Sequence, residues 1–517
     1  MRRSLWLLFL LLSFVHLPVG AEGQLFWEDC VWIGMERNLH LKLEKTKSEL
    51  FPILLKEKWK QYLPKLGVHY FGIFSRNKEQ IDQEYRDVRI QIQQMIYDGG
   101  ETEREKQKIE IKQLIQVEEK KIIREKVFKS ISNHYFNANK RMFIDLIYQL
   151  RSDRYGLEKE KQKTEVASGI IAPKEEKVGR IWEAEFASKR IQAKSQHLLA
   201  NLELKQSMFL EPEEIFHLEP GFMERIQIHP PILSNIETNE NHPLRKKSRL
   251  QLELVSLEEK SLENDWKPKF LLGGYVGRNG NSGFPLQNEI YGISFGVQAN
   301  LGGSSFSSNS QNGTQSEGNG IQRIPGYGPQ PVGPGDNSFQ SGSFGLFDEI
   351  GREKKRFDVN LSHEQAFLEK SQNELILKNN SKTTEIRLSE AYQKYLLYLE
   401  CTKSAISNLK KKRWERNLSL ISELEYLKLE EEVFLPLEMA IEHYFAYLSY
   451  ALEMALYLGE DPFSNRYYHL KQEKSNHELV VLLKEWSFSN PIEKNQTPEP
   501  NVMKPNPFLW EERYEKR

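Results

Sequence analysis

The sequence predicts a mainly α-helical protein with a small β part: a duplicated unit of long coiled-coil helical hairpins plus four antiparallel strands. Three observations predict it. The chain is written twice, each copy holds two short strand-like runs, and each copy then continues into a very long helix-forming stretch.

The duplication is read from spacing. Asn38-Leu-His-Leu41 opens a helical stretch that reaches Leu63-Pro-Lys-Leu66, and Asn241-His-Pro-Leu244 opens another that reaches Lys267-Pro-Lys-Phe270. Asn38 to Pro64 is 26 positions and Asn241 to Pro268 is 27, so the copies lie 203 to 204 residues apart. Downstream, Asp98-Gly-Gly100 and Asp348-Glu-Ile-Gly351 start the long helices, and those aspartates lie 250 apart. The mid-helix breaks at Gly169 and Asn417 lie 248 apart. The second copy has therefore gained about 44 residues, the length of the Gly/Ser/Asn/Pro-rich stretch from Gly302 to Gly345. That composition holds no apolar set to bury, so a disordered excursion is expected there.

In the first copy the strands are expected over Lys65 to Phe74 and Tyr85 to Tyr97, and in the second over Lys269 to Gly277 and Glu289 to Leu301. Val88, Ile90, Ile92 and Ile96 fall on one face of their strand, with Arg89, Gln91 and Gln93 on the other. Ile293, Phe295, Val297, Ala299 and Leu301 alternate in the same way with Ser294, Gly296, Gln298 and Asn300. A soluble half-buried sheet gives the same alternation. Yet two short pairs are too few for a self-sufficient sandwich, and a closed wall needs about eight strands or more. Several chains must then contribute, and three copies make a trimeric 12-stranded β-barrel. In such a barrel Val88, Ile90, Ile92, Ile293, Phe295 and Val297 face lipid. Arg89, Gln91, Gln93, Ser294, Gln298 and Asn300 face the lumen.

After Gly100, helix formers run to about Ser168, on the order of 100 Å of helix. Gly169-Ile-Ile-Ala-Pro-Lys174 breaks the run, and a return stretch reaches Leu210. In the second copy Arg352 to Arg416 goes out and Leu420 to Leu458 returns, with Asn417 where Gly169 stood. Both residue types tolerate the left-handed backbone of a reversal. Leu388, Ala391, Tyr395, Tyr398, Thr402, Ala405 and Leu409 keep coiled-coil spacing, as do Ile441, Phe445, Leu448, Leu452 and Ala455. Val127, Ile131, Tyr135, Ala138 and Met142 follow it less strictly, and Pro436 should disturb its helix.

The N-terminus reads as a secretory signal over residues 1–21. Arg2 and Arg3 precede an apolar run from Leu5 to Val15, and Val19-Gly20-Ala21 supplies small residues for cleavage. The first repeat then spans 22–235, with its strand pair at 65–97 and its hairpin at 100–210. The second spans 236–459, with strands at 269–301, the insert at 302–345 and a hairpin at 352–458. A polar tail occupies 460–517. Charged residues are 28% and hydrophobic residues 39%, which departs from globular usage toward long exposed helices. A net charge of −1 gives no basis for binding nucleic acid. Cys30 and Cys401 are expected as isolated thiols, with pairing as the alternative.

This order of words resembles the TolC-like outer-membrane efflux protein family. Asn241-His-Pro-Leu244 is similar to its start signal, and Leu63-Pro-Lys-Leu66 and Lys267-Pro-Lys-Phe270 to the segments leading into its first strands. Gln94-Met-Ile-Tyr-Asp-Gly-Gly100 resembles its strand-to-helix junction, as does Leu346-Phe-Asp-Glu-Ile-Gly351 with its second glycine lost. The resemblance implies a homotrimer in the cell outer membrane, with four strands per chain in a twelve-stranded barrel and a helical barrel extending across the periplasm. It implies docking of the helical tips onto an inner-membrane pump through a periplasmic adaptor. It also implies export of small molecules, metal ions or polypeptides. The tip candidates are Gly169, Pro173, Glu175, Glu176, Asn417, Glu423 and Glu425, although for each acidic residue taken singly a solvated helix face is the simpler account. Asn38-Leu-His-Leu41 lacks the family's proline, and the insert and the long tail are further departures.

The expected function is a passive export duct of a tripartite efflux or type I secretion system. Such a duct requires no catalytic group and no cofactor. There is no Walker-type phosphate loop, HExxH or paired CxxC, and the twelve histidines are scattered. The glycine-rich run Gly277 to Gly283 joins two strands instead of opening a helix. Two other classes fit less of the chain: a soluble periplasmic coiled-coil scaffold or adaptor, and an envelope enzyme.

Overall fold

Helix caps mark the start of each copy. A computed structural model describes residues 24–75, 83–168, 173–232, 239–280, 284–301, 304–315, 320–324, 328–332, 335–346, 351–418, 420–421, 423–471 and 477–488. Helix α1 (Trp27–Arg37) is followed by α2 (Leu39–Trp59), with Asn38 between them. The Leu41 N–H donates to Asn38 Oδ1 at 3.1 Å, which satisfies one of the open donors of a helix start. Strands β1 (Lys65–Ser75) and β2 (Gln83–Tyr97) lead to α3 (Glu101–Ala167) and the return helix α4 (Pro173–Ser207). The second copy begins with α5 (Pro243–Glu263). Here the cap is His242, one residue later than Asn241: its Nδ1 accepts from the Leu244 N–H at 3.2 Å, and Pro243 takes the first helical position.

Strands β3 (Lys269–Gly280) and β4 (Asn288–Leu301) match the second pair. The chain then departs from expectation. The Gly/Ser-rich insert forms β5 (Ser304–Gln315), the short ribbon β6 (Gly320–Ile324) with β7 (Gly328–Val332), and β8 (Gly335–Gly345). The disordered excursion is thus corrected: polar β5 and β8 pair backbone to backbone, and a ladder needs no apolar face to form. The expected four strands become six, in the all-antiparallel order β8-β5-β4-β3-β2-β1. The two copies join at the β2–β3 seam, where the register shifts between Met95 and Tyr97.

Helices α6 (Arg352–Asn417) and α7 (Glu423–Leu458) repeat the out-and-back pattern. At about 1.5 Å per residue, α3 and α6 each run for roughly 100 Å. Helices α2 and α5 pack along the halves nearer the sheet, while α4 and α7 pack on the remainder of α3 and α6. The predicted seam of α7 is buried as expected, at Ile441, Phe445, Leu448, Leu452 and Ala455. In α6 the seam drifts by one position. Leu388, Ala391, Tyr395, Thr402 and Leu409 are buried, but Leu399 and Ile406 take the inner places expected for Tyr398 and Ala405. In α3, Ile131, Tyr135 and Ala138 are buried, with Val127 and Met142 at the edge of the core. Helix α7 continues through Pro436. Its neighbours Val433, Phe434, Leu437 and Ala440 are buried and hold the segment in place despite the missing donor.

Between the two helical tiers lies a waist. Trp27 is fully buried, its indole N–H donates to Ser132 Oγ at 2.9 Å, and its ring sits 5.0 Å from Phe136 and 4.9 Å from Phe463. Arg225 joins Glu219 and Glu28, each at 2.8 Å. The expected polar tail contributes to this core. Tyr467 and Tyr468 are buried, Tyr468–Leu470 pairs antiparallel with Ile226–Ile228, and helix α8 (Glu478–Phe488) lays Leu479, Leu482 and Trp486 on the bundle. Apolar residues inside a polar stretch therefore decide the fate of 460–471 and 477–488. Cys30 is buried and Cys401 exposed, and both thiols are free, as expected.

His477 caps α8. Its Nδ1 accepts from the Leu479 N–H at 3.3 Å, and its ring lies edge-on to Tyr444 at 4.8 Å. Burial lowers its pKa from 6.5 to about 4, against the opposing pull of Glu478 and Glu224. The folded ring stays neutral where the unfolded one takes a proton. Its contribution is complete above about 6.5 and is lost as pH falls toward about 4. The docking of α8 should loosen across that window, read as faster proteolysis of the C-terminal segment or a shift in Trp486 fluorescence. His477→Asn, a neutral capping residue, should remove most of this dependence.

Candidate functional site

The paired register puts the expected apolar residues on one face of the sheet. Leu66 stands opposite Ile92, Val68 opposite Ile90 and Tyr70 opposite Val88. Across the β2–β3 seam Ile90 faces Val276, and on β4 Tyr291 faces Val276, Ile293 faces Gly274 and Phe295 faces Leu272. Val297 stands opposite Phe270 and extends the row toward the helices. Among the described residues nothing covers this face: Val68 is 74% and Ile293 65% exposed, and Ile92 is 46% exposed. Isolated exposed apolar residues are ordinary, but a continuous band of them over four adjacent strands is not.

The other face carries the polar set. Arg89, Gln91 and Gln93 lie there on β2, with Ser294, Gln298 and Asn300 on β4. Arg89 pairs with buried Asp87, its Nε donating to Oδ1 at 3.2 Å, and its guanidinium carbon lies 5.2 Å from the Tyr275 ring centroid. The ring of Tyr275 occupies space that only glycine leaves at Gly292, where a Cβ would come within 2.6 Å of the ring. Ser294 fills the corresponding space over Gly273. Asn300 Nδ2 donates to Asp265 Oδ2 at 3.4 Å. The sequence reading missed Asp87, Tyr275 and Asp265. The Asp87–Arg89 spacing of two residues, which puts both on one strand face, was the available signal for the first.

At the junction to α3 the expected glycines are needed for their backbone. Gly99 and Gly100 take φ +69° and +78°. Burial opposes ionisation of Asp98, but hydrogen bonds from the Thr102 hydroxyl and N–H and the Gly100 N–H outweigh it and hold the carboxyl below its usual range. The Thr102 N–H lies 2.7 Å and the Gly100 N–H 2.9 Å from that carboxylate. In the second copy residues 347–350 lie outside the described residues, and Gly351 has φ −93°.

The two helical reversals lie at the end away from the sheet. Late in α3, Tyr148 donates to Glu438 of α7 at 3.1 Å, and Arg151 pairs with Glu431. The Arg151 guanidinium carbon also sits 3.7 Å from the Phe186 ring centroid of α4. Gly169 lies outside the described residues. Pro173 starts α4, so Glu175 and Glu176 belong to its first turn. Asn417 ends α6 and Glu423 starts α7, while Glu425 is exposed. Asn417 does not take the expected left-handed backbone. The helix is capped instead at Leu418, with φ −89°, whose N–H bonds back to Trp414 and Arg416. Among the described residues no group of three or more His, Cys, Asp or Glu side chains could hold a metal ion, and no helix is long and apolar enough to cross a membrane.

Solved structures share this arrangement. The outer membrane channel CmeC of Campylobacter jejuni superposes with a TM-score of 0.62 at 11% identity, covering 90% of this chain and 90% of its own. The open-state outer membrane channel MtrE of Neisseria gonorrhoeae gives 0.61 at 11%, covering 84% and 89%. The outer membrane protein VceC of Vibrio cholerae gives 0.60 at 10%, covering 84% and 96%. The chain has the fold of the TolC-like outer-membrane channels. No protein-family model matches the chain, and no curated protein matches its sequence. The TolC-like resemblance is therefore carried by the arrangement of helices and strands, at a sequence identity near one residue in ten.

The TolC-like junction makes a direct prediction. A Cβ at Gly99 would lie 3.0 Å from Lys267 Cβ and 3.1 Å from its carbonyl oxygen, on a left-handed backbone. Gly99→Ala should destabilise the strand-to-helix joint by about 1–2 kcal/mol or more. Thermal unfolding should show the loss, and Gly351→Ala, at an ordinary φ with open space, should show little.

Proposed function

We propose that this chain is a passive export duct of the outer membrane, in which three copies close their sheets into one wall and continue it as a helical tunnel into the periplasm. The observation that carries this reading is the uncovered apolar band on one sheet face, backed by a polar face. In water such a band favours aggregation; in a bilayer it is the expected outer surface of a barrel. The channel neighbours support it through the shared fold.

On this reading Val88, Ile90, Ile92, Ile293, Phe295 and Val297 meet lipid, while Arg89, Gln91, Gln93, Ser294, Gln298 and Asn300 line the lumen. The exposed apolar residues of the helices, among them Leu361, Leu368 and Leu375 on α6, meet the neighbouring subunits. The reversals near Pro173, Glu175, Glu176, Asn417, Glu423 and Glu425 form the end that docks on a periplasmic adaptor and an inner-membrane pump. Energy comes from that partner, as in tripartite efflux or type I secretion, and the cargo is a small molecule, a metal ion or a polypeptide. The duct itself lowers no chemical barrier and needs only width and lining.

A pair of substitutions on adjacent residues separates this reading from a soluble scaffold. Ile92→Lys puts a charge on the proposed lipid face and should cost about 2–4 kcal/mol near the bilayer midplane. Gln91→Lys puts it on the lumen face and should assemble normally. Outer-membrane fractionation and heat-modifiable migration in detergent gels read the difference. Equal behaviour of the two variants, or recovery of the wild type in the soluble fraction, would reject the membrane wall.

A further inference from the structure

We infer that the β5–β8 ribbon is an edge guard: it covers β4 in the free subunit and gives way on assembly to β1 of a second copy. This rests on the proposed membrane wall. The apolar band stops abruptly at the β4–β5 seam. Ile293 faces Asn312, Phe295 faces Ser310 and Val297 faces Ser308, and Ser310 and Ser308 then face Gln340 and Gly342. The register of the opposite side is also mostly polar, with Phe339 its one large apolar position among the described residues, and the Ser307 and Ser343 hydroxyl oxygens there lie 2.6 Å apart. Only Phe306 and Phe344 interrupt the exposed side, both at the end nearest the helices. A ribbon so largely polar on both faces suits water on both sides. Hydrocarbon offers Asn312 and Gln340 no hydrogen-bond partner.

At the far side of the sheet, β1 has no partner on its outer edge among the described residues. Its Leu66, Val68 and Tyr70 are exposed and belong to the apolar band. Only a β4-to-β1 junction between copies makes that band continuous around a closed wall. The direction fits. Strands β1 and β5 both start at the helical end, so β1 can replace β5 beside β4 and keep the antiparallel pattern. Size fits as well. With the ribbon retained, three six-stranded sheets would close about half as wide again as three four-stranded ones, because diameter grows roughly linearly with strand number. The helices that continue the wall are no more numerous in this chain than two copies of the repeat supply.

The guard has a reason to be there. A long, flat, apolar-faced edge strand is an aggregation hazard in an unassembled subunit. β5 fits closely beside β4: a Cβ at Gly313 would come within 2.6 Å of the Tyr275 hydroxyl, so the phenol lies across Gly292 and reaches Gly313.

Cysteine pairs in full-length protein test this, in a Cys401→Ser background. Val297→Cys with Ser308→Cys, directly opposite in the register, locks the ribbon to β4. Under oxidation this variant should remain unassembled, and reduction should restore heat-modifiable trimers in the outer membrane. In separate variants, Val68→Cys combined in turn with Ile293→Cys, Phe295→Cys or Val297→Cys should give inter-subunit cross-links with a short bifunctional maleimide, and Val68→Cys with Phe344→Cys should give none. Normal trimers from the oxidised lock, or cross-links between Val68 and Phe344 positions, would overturn the exchange and establish the wider wall instead. Absence of trimers and of every inter-subunit cross-link under reducing conditions would overturn the membrane wall itself, and the guard with it.

Discussion

A sheet with one exposed apolar face cannot end in free edges if that face is to meet lipid. Every N–H and C=O on an edge strand must then find a partner, because hydrocarbon supplies none. Within this chain the β2, β3, β4 and β5 ladders satisfy their neighbours, but the sheet still ends at β1 on one side and β8 on the other. The remaining features follow from that constraint. For a membrane wall, more than one chain would have to contribute, related by rotation so that edges meet, and the helices joined to the strands would be carried into the same ring. The register also dictates which side faces out, since a slip of one residue would exchange Ile90 and Ile92 for Arg89 and Gln91.

The waist has the complementary task. Helices as long as α3 and α6 bury narrow seams, and these continue outward through Ile406, Leu409, Tyr426 and Val433. The aromatic packing is densest where α1, the connector around Phe222 and the segment around Tyr468 close on Trp27. Arg225 ties three parts of the chain together there, through Glu28, Glu219 and the Lys471 carbonyl. Its pairing with two carboxylates outweighs the burial that would otherwise lower its pKa, so it stays charged in the fold.

Legibility followed the physics of each element. The duplicated start was legible because a cap and a proline have fixed places: Asn38 caps one copy and His242 with Pro243 the other. Gly99 and Gly100 were legible because their positive φ excludes other residues. The faces of β2 and β4 were legible because period-two alternation is a property of the strand itself. The insert was not. Ser304 to Gly345 has no alternation, and its strands exist because β4 offers an open ladder, which is a tertiary fact. Tyr467, Tyr468 and Trp486 were hidden in the same way, within a stretch whose average composition is polar. The drift of the α6 seam from Tyr398 to Leu399 shows the limit of heptad spacing when a helix meets more than one neighbour. The reversal at Asn417 was placed correctly along the chain and wrongly in its backbone, since an ordinary cap at Leu418 suffices.

The lining of the sheet bears on selectivity. A threefold assembly presents each side chain as a ring, so an unpaired charge on the inner face would act as a filter. Here the arginine of that face is matched by Asp87, and Lys269 at the helical end of the wall meets Glu101 at 2.5 Å. The other assigned lumen residues are uncharged amides and a serine: Gln91, Gln93, Gln298, Asn300 and Ser294. Amides offer both donors and acceptors and favour neither sign of charge. On the proposed reading, these assigned residues alone would give the lumen little preference between cargo charges. On the proposed reading as a passive duct, the choice would then belong to the end with the helical reversals and to the partner that spends energy on delivery.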